Sequence, residues 1–486
     1  MNSLLDYDEL LNAVSGKAVG FALNEKKFYF TSVVTDSRCV VAGSLFIPLI
    51  GQNEDGHKYI PQAIQKGATA VFIDSDEYEE DSRKLMELAG EHSHVLFVVV
   101  SDTLHALQDA AAAYVAKFPR LLKIGITGSS GKTTTKEMTV AVLKQKYNVI
   151  YNEGNLNSET GLPLSVFKIQ NEHEIGVFEM GMNRTNEIGE IAAVLKPQYA
   201  LVTNIGTAHI GILGSRENIA REKRKIFTYI PESGAAFIPS SDDFRFFLSE
   251  EIKGHIINYG KDIPLAENGV TLISDDGICG TTFKVGSEEV QLKLPGIYNY
   301  QNALGAIAIG RYFGVSDNSI KTALESFMPI AGRTETASFE LRGGTCVTLV
   351  KDCYNANPDS MAKVLAFCGS VKNIHHRIYV LGDMLELGAK SAEEHANVGA
   401  EAVVSSPDQI IFIGTEMKYA AAAAKSAGFT NALYIPDSDD NAMELAAQFL
   451  IDCTDDGDLL LLKASRGMQL ERIIPLIGVS EGNCNG

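Results

Sequence analysis

The segment from Leu121 to Thr134 constrains the fold more than any other, because a short apolar stretch leads directly into a loop of small residues and a lysine. Leu121–Ile126 has the pattern of a buried strand, and Thr127-Gly128-Ser129-Ser130-Gly131-Lys132-Thr133-Thr134 follows it. Small residues let backbone N–H groups and the next helix start face phosphate oxygens, Lys132 supplies a positive charge, and Thr133 can ligate Mg²⁺. The order of strand, Gly-Lys-Thr and helix favours a phosphate-binding loop over a glycine turn. We expect nucleotide contacts at Gly128, Ser129, Ser130, Gly131, Lys132, Thr133 and Thr134.

The length and the alternation of patterns indicate about three α/β domains. At about 150 residues per domain, 486 residues correspond to three, and Ala/Gly-rich helices alternate with short apolar runs. A break after the Ala-rich helix Asp109–Ala116 places the first boundary near Arg120, and Pro329 with Gly332 marks the second. We therefore expect domains at residues 1–119, 120–328 and 329–486.

Short apolar runs in the last of these domains predict a buried parallel sheet. They are separated by helical patterns, as in sheets that are covered on both faces. The runs are Val347–Val350, Ile378–Leu381, Ile410–Ile413 and Leu459–Leu462.

The charge of the chain limits the class of partner. A formal net charge of -19 disfavours a main partner that is a nucleic acid or an anionic membrane, although a local basic pocket for phosphate remains compatible with it. Apolar runs stay below the roughly 18 residues of a spanning helix. We expect a cytoplasmic monomer that acts on small molecules, without membrane insertion.

The loop departs from the usual phosphate-loop spacing, which would place a glycine at the position of Ile126. The segment 127–137 is instead similar to the shortened loop of the Mur ligase family, and the resemblance extends over nearly the whole chain. The other segments that carry it are Thr35-Asp36-Ser37-Arg38, Asp55-Gly56-His57, Asn155-Leu156-Asn157, Glu179 to Arg184, Thr203 to His209, Asn299 to Ala303 and Tyr354 to Pro358.

The resemblance implies an ATP- and Mg²⁺-dependent ligase. An N-terminal α/β domain would bind the UDP part of the substrate, a central P-loop-type ATPase domain with a mainly parallel sheet would bind ATP, and a C-terminal Rossmann-like domain would bind the acceptor. In such enzymes a carboxylate attacks the γ-phosphate, and an amine then attacks the resulting acyl phosphate. With these parts on separate domains, we expect the last domain to close over ATP.

Candidate metal ligands follow the strands of the expected central domain. The apolar run Ile175–Phe178 ends in Glu179, which places a carboxylate at a strand end beside the phosphate loop. Alone, His209 is more often an ordinary loop histidine, but the resemblance implies that Thr133, Glu179 and His209 hold Mg²⁺ near the nucleotide.

Lys223 lies within the apolar stripe of a helix predicted over Arg216–Ile230. Periodicity alone favours a lysine whose ammonium reaches solvent past the apolar face. The resemblance implies a carbamylated lysine that helps to hold a second Mg²⁺ and takes part in catalysis with Lys132 and His209. An ammonium about 4 Å from a divalent cation would be repelled by roughly 8 kcal/mol at an effective dielectric of 20, and a carbamate reverses that sign.

Asn299 and Asn302 lie three residues apart at a predicted helix start, where helix capping is the alternative role. The resemblance places both near the nucleotide base, together with Arg333 and Asp352. Family members commonly carry histidine before the first asparagine, where this chain has Tyr298.

The last domain contains Tyr354-Asn355-Ala356-Asn357-Pro358 after a strand, and Leu381 to Gly388 after the next. Solvated loops and helix caps are the alternatives, including a capping box formed by Ser391 and Glu394. The resemblance is to members that add D-alanyl-D-alanine to UDP-N-acetylmuramoyl-tripeptide. It implies substrate contacts at Tyr354, Asn355, Asn357 and Asp383, at Asn155 and Asn157, and at Ser37 and Arg38, although a lone Asp-Ser-Arg is more often a surface turn.

Two other functions remain open from the sequence. One is a sister ligase such as a folylpolyglutamate synthase, which the first domain disfavours. The other is an ATP-binding partner protein without ligase activity, which would typically lose metal or acceptor residues that this chain retains at Glu179, His209, Lys223 and Asn355.

Overall fold

The computed structural model describes residues 3–20, 28–51, 54–261, 269–329 and 332–480. These ranges form three α/β units, each with its own sheet, in the order expected from the sequence. Within them, no helix has both the length and the apolar character needed to span a bilayer.

The N-terminal unit is a five-stranded sheet of order β1-β5-β4-β3-β2. Only β1 runs antiparallel to its neighbour. The apolar cores of β4 and β5 are buried because helices cover the sheet. The strands are β1 (Lys17–Val19), β2 (Ser32–Val34), β3 (Ser44–Phe46), β4 (Ala68–Asp74) and β5 (Leu96–Val100), and the helices are α1 (Tyr7–Val14), α2 (Ile60–Gln65), α3 (Ser75–Glu80), α4 (Ser82–Glu91) and α5 (Thr103–Ala116).

The central unit contains a six-stranded parallel sheet of order β11-β10-β9-β6-β8-β7. Its strands are β6 (Leu122–Thr127), β7 (Val149–Tyr151), β8 (Ile175–Glu179), β9 (Tyr199–Val202), β10 (Ala235–Pro239) and β11 (His255–Tyr259). The helices of this part are α6 (Lys132–Leu143), α7 (Gly161–Val166), α8 (Glu187–Leu195), α9 (Ile210–Leu213), α10 (Arg216–Arg224) and α11 (Arg245–Ser249). Because β8, β6 and β9 are adjacent and parallel, the segments that follow them meet at one edge of the sheet.

A three-stranded antiparallel sheet and two helices complete the central unit. They are β12 (Val270–Asp275), β13 (Thr281–Val285), β14 (Glu288–Leu292), α12 (Ile297–Tyr312) and α13 (Asp317–Glu325). Helix α12 packs on α6, so that Asn302 in its second turn reaches the phosphate loop.

The C-terminal unit is a seven-stranded sheet of order β19-β18-β17-β20-β16-β15-β21. The four predicted strands are confirmed as parallel neighbours, and β15 and β21 add an antiparallel edge. The strands are β15 (Glu335–Leu341), β16 (Cys346–Asp352), β17 (Arg377–Gly382), β18 (Gln409–Ile413), β19 (Ala432–Ile435), β20 (Leu459–Lys463) and β21 (Gly478–Ser480). The helices are α14 (Pro358–Ser370), α15 (Ser391–Val404), α16 (Met417–Ser426), α17 (Asp440–Cys453) and α18 (Ile474–Ile477).

Two local predictions differ from the structure. The helix predicted over Arg216–Ile230 is shorter, since α10 ends at Arg224 and a 3₁₀ turn over Lys225–Phe227 follows. The capping box predicted at Ser391 is absent, because Ser391 is the first residue of α15 and its hydroxyl donates to Glu416 at 2.5 Å. In the second case, the hydrogen bond to Glu416 replaces the capping interaction that the local sequence predicts.

Candidate functional site

The phosphate loop connects β6 to α6 and depends on glycine at two positions. Gly131 has φ 78° and Gly128 has φ 154°, both in the region that favours glycine. A side chain at Gly131 would collide with Asn302, and one at Gly128 would collide with Thr203. The loop therefore lies close to the start of α12 and to the segment after β9.

Side chains that follow β9 fix the shape of the loop. Asn204 accepts a hydrogen bond from the Ser130 N–H at 3.1 Å and donates to the Ser130 carbonyl at 3.0 Å. The Thr203 hydroxyl donates to the same carbonyl at 2.6 Å, and the Ser129 hydroxyl accepts from the Gly206 N–H at 2.8 Å. These bonds preorganise the loop.

Two lysines meet at one carbonyl of the loop. Nζ of Lys132 and Nζ of Lys223 each donate to the Gly128 carbonyl at 3.0 Å. Lys223 is fully buried, and burial together with the Lys132 charge holds its pKa well below the ordinary value. Burial also lowers the pKa of Lys132, while Glu179 opposes that shift.

Glu179, at the end of β8, presents an unpaired oxygen. Its Oε1 accepts from the Asn157 amide at 2.6 Å, whereas no donor among the described residues reaches its buried Oε2. A buried carboxylate oxygen without a partner is costly, and a cation would satisfy it. The described residues hold no group of three or more His, Cys, Asp or Glu that could bind a metal.

His209 lies where the central unit meets the C-terminal unit. It precedes α9 in the left-handed conformation at φ 65°, and its Nδ1 lies 3.1 Å from Oε2 of Glu386. Burial lowers the pKa of His209, with further lowering by Lys132 and Lys223, although Glu386 opposes it. This environment favours the neutral imidazole that a metal requires.

The phosphate loop, Glu179 and His209 line one cavity of about 590 Å³ with residues of the C-terminal unit. Its walls carry five basic side chains against three carboxylates, in a chain of net charge -19. The basic residues are Lys132, Arg333, Lys363, Lys463 and Arg466, and the carboxylates are Glu179, Glu187 and Asp352. This excess of positive charge suits a polyphosphate.

The predicted nucleotide contacts outside the loop are brought together in this cavity. Asn302 donates to Asn299 at 3.1 Å, and the buried Asn299 donates to the Pro295 carbonyl at 2.8 Å. The Arg333 guanidinium lies 4.3 Å from the centre of the Tyr354 ring. Asp352 pairs with the buried Lys463 at 2.7 Å. The N-cap position of α12 is occupied by Gly296, so Asn299 does not cap this helix.

The predicted acceptor segment follows β16 along the same cavity. Asn355 and Asn157 line the wall with Tyr354 and Asn155. Asn357 also lines it, and its side chain accepts from the Ser360 N–H at 2.9 Å, which forms a capping box at the start of α14.

Three sequence-predicted contacts lie elsewhere among the described residues. Ser37 and Arg38 form a turn in the N-terminal unit, where the Ser37 hydroxyl donates to Gln62 at 2.7 Å and Arg38 pairs with Asp36 at 2.7 Å. Asp383 is buried, and its Oδ1 accepts from the Glu416 and Met417 N–H groups at 3.1 and 2.9 Å. Asp383 does not line the cavity described above.

Several lining residues were not predicted from the sequence. Lys363 on α14 donates to the Ser130 hydroxyl at 2.9 Å, and Asn183 and Glu187 also line the cavity. Lys363 lies six residues after Asn357, which the sequence assigns to the site, and a helix starting at Asn357 places Lys363 in its second turn. No local pattern indicates that the Lys363 side chain reaches the central unit.

The chain matches three domain families along its length. Residues 29–115 match "Mur ligase family, catalytic domain", residues 126–310 match "Mur ligase middle domain", and residues 332–466 match "Mur ligase, glutamate ligase domain".

The chain is similar over nearly its whole length to proteins that are named UDP-N-acetylmuramoyl-tripeptide--D-alanyl-D-alanine ligase. That of Treponema pallidum (strain Nichols) is 40% identical, covering 98% of this chain and 99% of the relative. That of Bacillus subtilis (strain 168) is 34% identical, covering 91% and 92%.

Two solved structures are similar over most of their length. MurF from Acinetobacter baumannii superposes with a TM-score of 0.83 at 27% identity, covering 97% of this chain and 98% of the other. MurF ligase from Thermotoga maritima, solved in complex with ADP, gives a TM-score of 0.74 at 26% identity, with 92% and 96% covered.

Proposed function

The chain belongs to the Mur ligase family, and we propose that it joins D-alanyl-D-alanine to UDP-N-acetylmuramoyl-tripeptide with consumption of ATP, giving the pentapeptide precursor of peptidoglycan. The observation that carries this proposal is one basic cavity in which the phosphate loop, the unpaired oxygen of Glu179 and the segment 354–357 meet. Two relatives that are 40% and 34% identical over nearly the whole chain are named for this activity.

ATP would bind with its phosphates on the loop 128–134 and the first turn of α6. Backbone N–H groups and the Lys132 ammonium would face the phosphates there, and Asn299, Asn302, Arg333 and Asp352 would contact the rest of the nucleotide. The peptide carboxylate attacks the γ-phosphorus, and ADP leaves. The amine of the acceptor then attacks the acyl carbon, loses a proton, and expels phosphate. The main task of the chain is to align these groups and to stabilise the charge on the transferred phosphoryl group.

Mg²⁺ would be held by Thr133, Glu179 and His209, which line the same cavity. When bound, it neutralises charge on the phosphate oxygens. The unpaired Oε2 of Glu179 and the neutral state favoured for His209 support this assignment.

Lys223 would act as a carbamate, formed by CO₂ on a neutral amine. Its side chain is fully buried 3.0 Å from the Gly128 carbonyl and beside the Lys132 charge, an environment that disfavours a second ammonium. Mass spectrometry of the intact protein in bicarbonate should show an addition of about 44 Da, the mass of CO₂, that the Lys223→Ala variant lacks. A free amine under these conditions, with full activity of Lys223→Ala, would reject the carbamate.

The substrates would occupy different units. Ser37 and Arg38 would bind the UDP group in the N-terminal unit, and Asn155 and Asn157 would contact the muramoyl peptide. Tyr354, Asn355, Asn357 and Asp383 would receive D-alanyl-D-alanine. The domain limits 1–119, 120–328 and 329–486 fall between α5 and β6 and between α13 and β15.

We further propose a monomer in the cytoplasm, where ATP is available. One chain provides both walls of the cavity described above, so the chemistry needs no residue of a second copy. Sedimentation in the presence of the ATP analogue β,γ-imido-ATP would test this state.

The decisive assay is phosphate release from ATP across a panel of UDP-muramoyl peptides and acceptors. Tripeptides ending in lysine or in diaminopimelate, combined with D-alanyl-D-alanine, should support fast turnover. If a UDP-muramoyl dipeptide with lysine or diaminopimelate as the acceptor were the better combination, the assignment within the family would be wrong.

A further inference from the structure

Two side chains of helix α14, which belongs to the C-terminal unit, form hydrogen bonds with the central unit. Asp359 and Lys363 are four residues apart and therefore lie on one face of the helix. Oδ2 of Asp359 accepts from the N–H of Thr207 at 2.6 Å and from its hydroxyl at 3.0 Å. Nζ of Lys363 donates to the Ser130 hydroxyl at 2.9 Å.

All three bonds end on segments that form the proposed ATP site. Ser130 belongs to the phosphate loop, and Thr207 lies two residues before His209. The interface is close-packed beside them, because a side chain at Gly211 would collide with the backbone of Leu387. The Lys363 ammonium thus reaches the phosphate loop only while the two units are together.

The Lys363 ammonium donates to a neutral hydroxyl at this position. The side chain lines the cavity, burial lowers its pKa, and Asp359, the carboxylate that opposes this shift, is engaged with Thr207. A neutral hydroxyl is a weaker partner for an ammonium than an anion is. A phosphate group on the loop would provide that anion.

We propose that Asp359 and Lys363 form a latch in which Lys363 brings a positive charge from the C-terminal unit to the phosphates of ATP. The proposal rests on the assignment of the loop to ATP in the proposed function. Because coupling is reciprocal, bound ATP stabilises the closed arrangement, and closure tightens the binding of ATP. Asp359 is a positioning residue that acts through Thr207.

The first test compares Lys363→Met with Lys372→Met, a matched change at an exposed lysine just after the same helix. The affinity for the Mg²⁺ complex of β,γ-imido-ATP is measured by calorimetry, and closure by energy transfer between dyes on the central and C-terminal units. We expect Lys363→Met to bind the analogue about ten-fold or more weakly and to stay open, because a charge-assisted bond is lost. Lys372→Met should match the wild type, and Lys363→Arg should recover most of the affinity.

The second test opens the same interface without touching the charge. Gly211→Ala should separate the units sterically and weaken analogue binding to a similar extent. Since Lys363 acts only in the closed arrangement, Lys363→Met in the Gly211→Ala background should cause little further loss. Should Lys363→Met not fold, Lys363→Gln takes its place in both tests.

Unchanged affinity and closure in Lys363→Met, or full additivity with Gly211→Ala, would overturn the latch. Both measurements use nucleotide alone, so they remain readable if the wild type fails to join the proposed peptides. An active wild-type ligase whose Lys363→Met variant closes normally would reject the latch and leave the proposed function intact.

Discussion

At the scale of single residues, the site brings like charges together at the Gly128 carbonyl. Lys132 and Lys223 converge there from α6 and α10, and burial weakens the charged form of both. The Glu179 carboxylate opposes the lowering of the Lys132 pKa, and phosphates on the loop or a carbamate on Lys223 would supply further negative charge. Charge balance in the site therefore depends on groups that the chain must bind.

Lys132→Ala should lower kcat for phosphate release by at least about a hundred-fold, because it removes the ammonium that the loop directs at the phosphates. The matched change is Lys144→Ala, at the other end of α6, which should leave the rate near that of the wild type. Near-normal release by Lys132→Ala would contradict the nucleotide assignment.

Glu179→Gln should raise the Mg²⁺ concentration needed for half-maximal activity by about ten-fold or more. The amide oxygen can still accept from Asn157, but its NH₂ group replaces the oxygen available to the metal. A Mg²⁺ titration measures the effect, and Glu153→Gln, at an exposed carboxylate paired with Lys168, is the control. Equal Mg²⁺ requirements in both variants would exclude Glu179 as a ligand.

The free energy of unfolding of Asp383→Asn should increase relative to that of the wild type as the pH rises. Burial raises the pKa of Asp383 above its ordinary 3.8, although two backbone N–H groups donate to it. The folded state thus binds this proton more tightly than the unfolded state, and the corresponding stability is lost as the pH rises through the folded pKa. Urea unfolding of both proteins from about pH 4 to about pH 7 measures the difference.

The same variant tests the assignment of Asp383 to the acceptor site. If the carboxylate touches D-alanyl-D-alanine, the KM for the acceptor should rise in Asp383→Asn. An unchanged KM would assign Asp383 to holding the start of α16, where its bonds lie.

At the scale of elements, the start of α14 combines capping with the site. Asn357 closes a capping box with Ser360, and the same helix carries Asp359 and Lys363. The cap therefore sets the orientation of the helix that reaches the phosphate loop.

Asn357→Ala should lower the free energy of unfolding by about 1 kcal/mol, because the cap is lost. It should also raise the KM for D-alanyl-D-alanine. Asn357→Asp keeps a capping oxygen and should restore stability but not the acceptor KM, while Asn355→Ala should affect the KM alone. Denaturant unfolding and steady-state kinetics separate the two effects; recovery of the KM by Asn357→Asp would mean that Asn357 acts only as a cap.

At the scale of the whole molecule, the catalytic groups come from two units that meet around the cavity. The central unit provides the phosphate loop and the proposed metal ligands, and the C-terminal unit provides Arg333, Asp352 and the segment 354–357. In the proposed function, selection of the acceptor and activation of the carboxylate therefore reside on different units.

Single D-alanine should be a very poor acceptor compared with D-alanyl-D-alanine. A buried site that hydrogen-bonds the amide and carboxylate of a dipeptide leaves polar groups unpaired when one amino acid binds, and discrimination on this basis can reach about 10⁴-fold. The ratio of kcat/KM for the two acceptors measures this selectivity, and ATP affinity should be the same with either. Similar kcat/KM values for the two acceptors would mean that the site recognises only the amine of the acceptor.

Local patterns in the sequence were sufficient for much of the fold. The apolar runs of the C-terminal sheet, the phosphate loop and the inward position of Lys223 are confirmed by strands β16, β17, β18 and β20, by the β6–α6 connection and by the burial of Lys223. Each of these features depends on residues within one or two turns or one strand. Such periodicity determines the element and its buried face.

Only the tertiary structure decided which side chains meet across the units. Lys363 and Ser130 are 233 positions apart, and their contact depends on how α14 packs against the central unit. The partners of Asp383 and the unpaired oxygen of Glu179 likewise depend on neighbours from other elements. The sequence by itself determined the phosphate loop, the strands and the buried face of α10, because these depend on local spacing. The cavity and the latch are properties of packing, because distances between distant segments are set only when the sheets and helices are assembled.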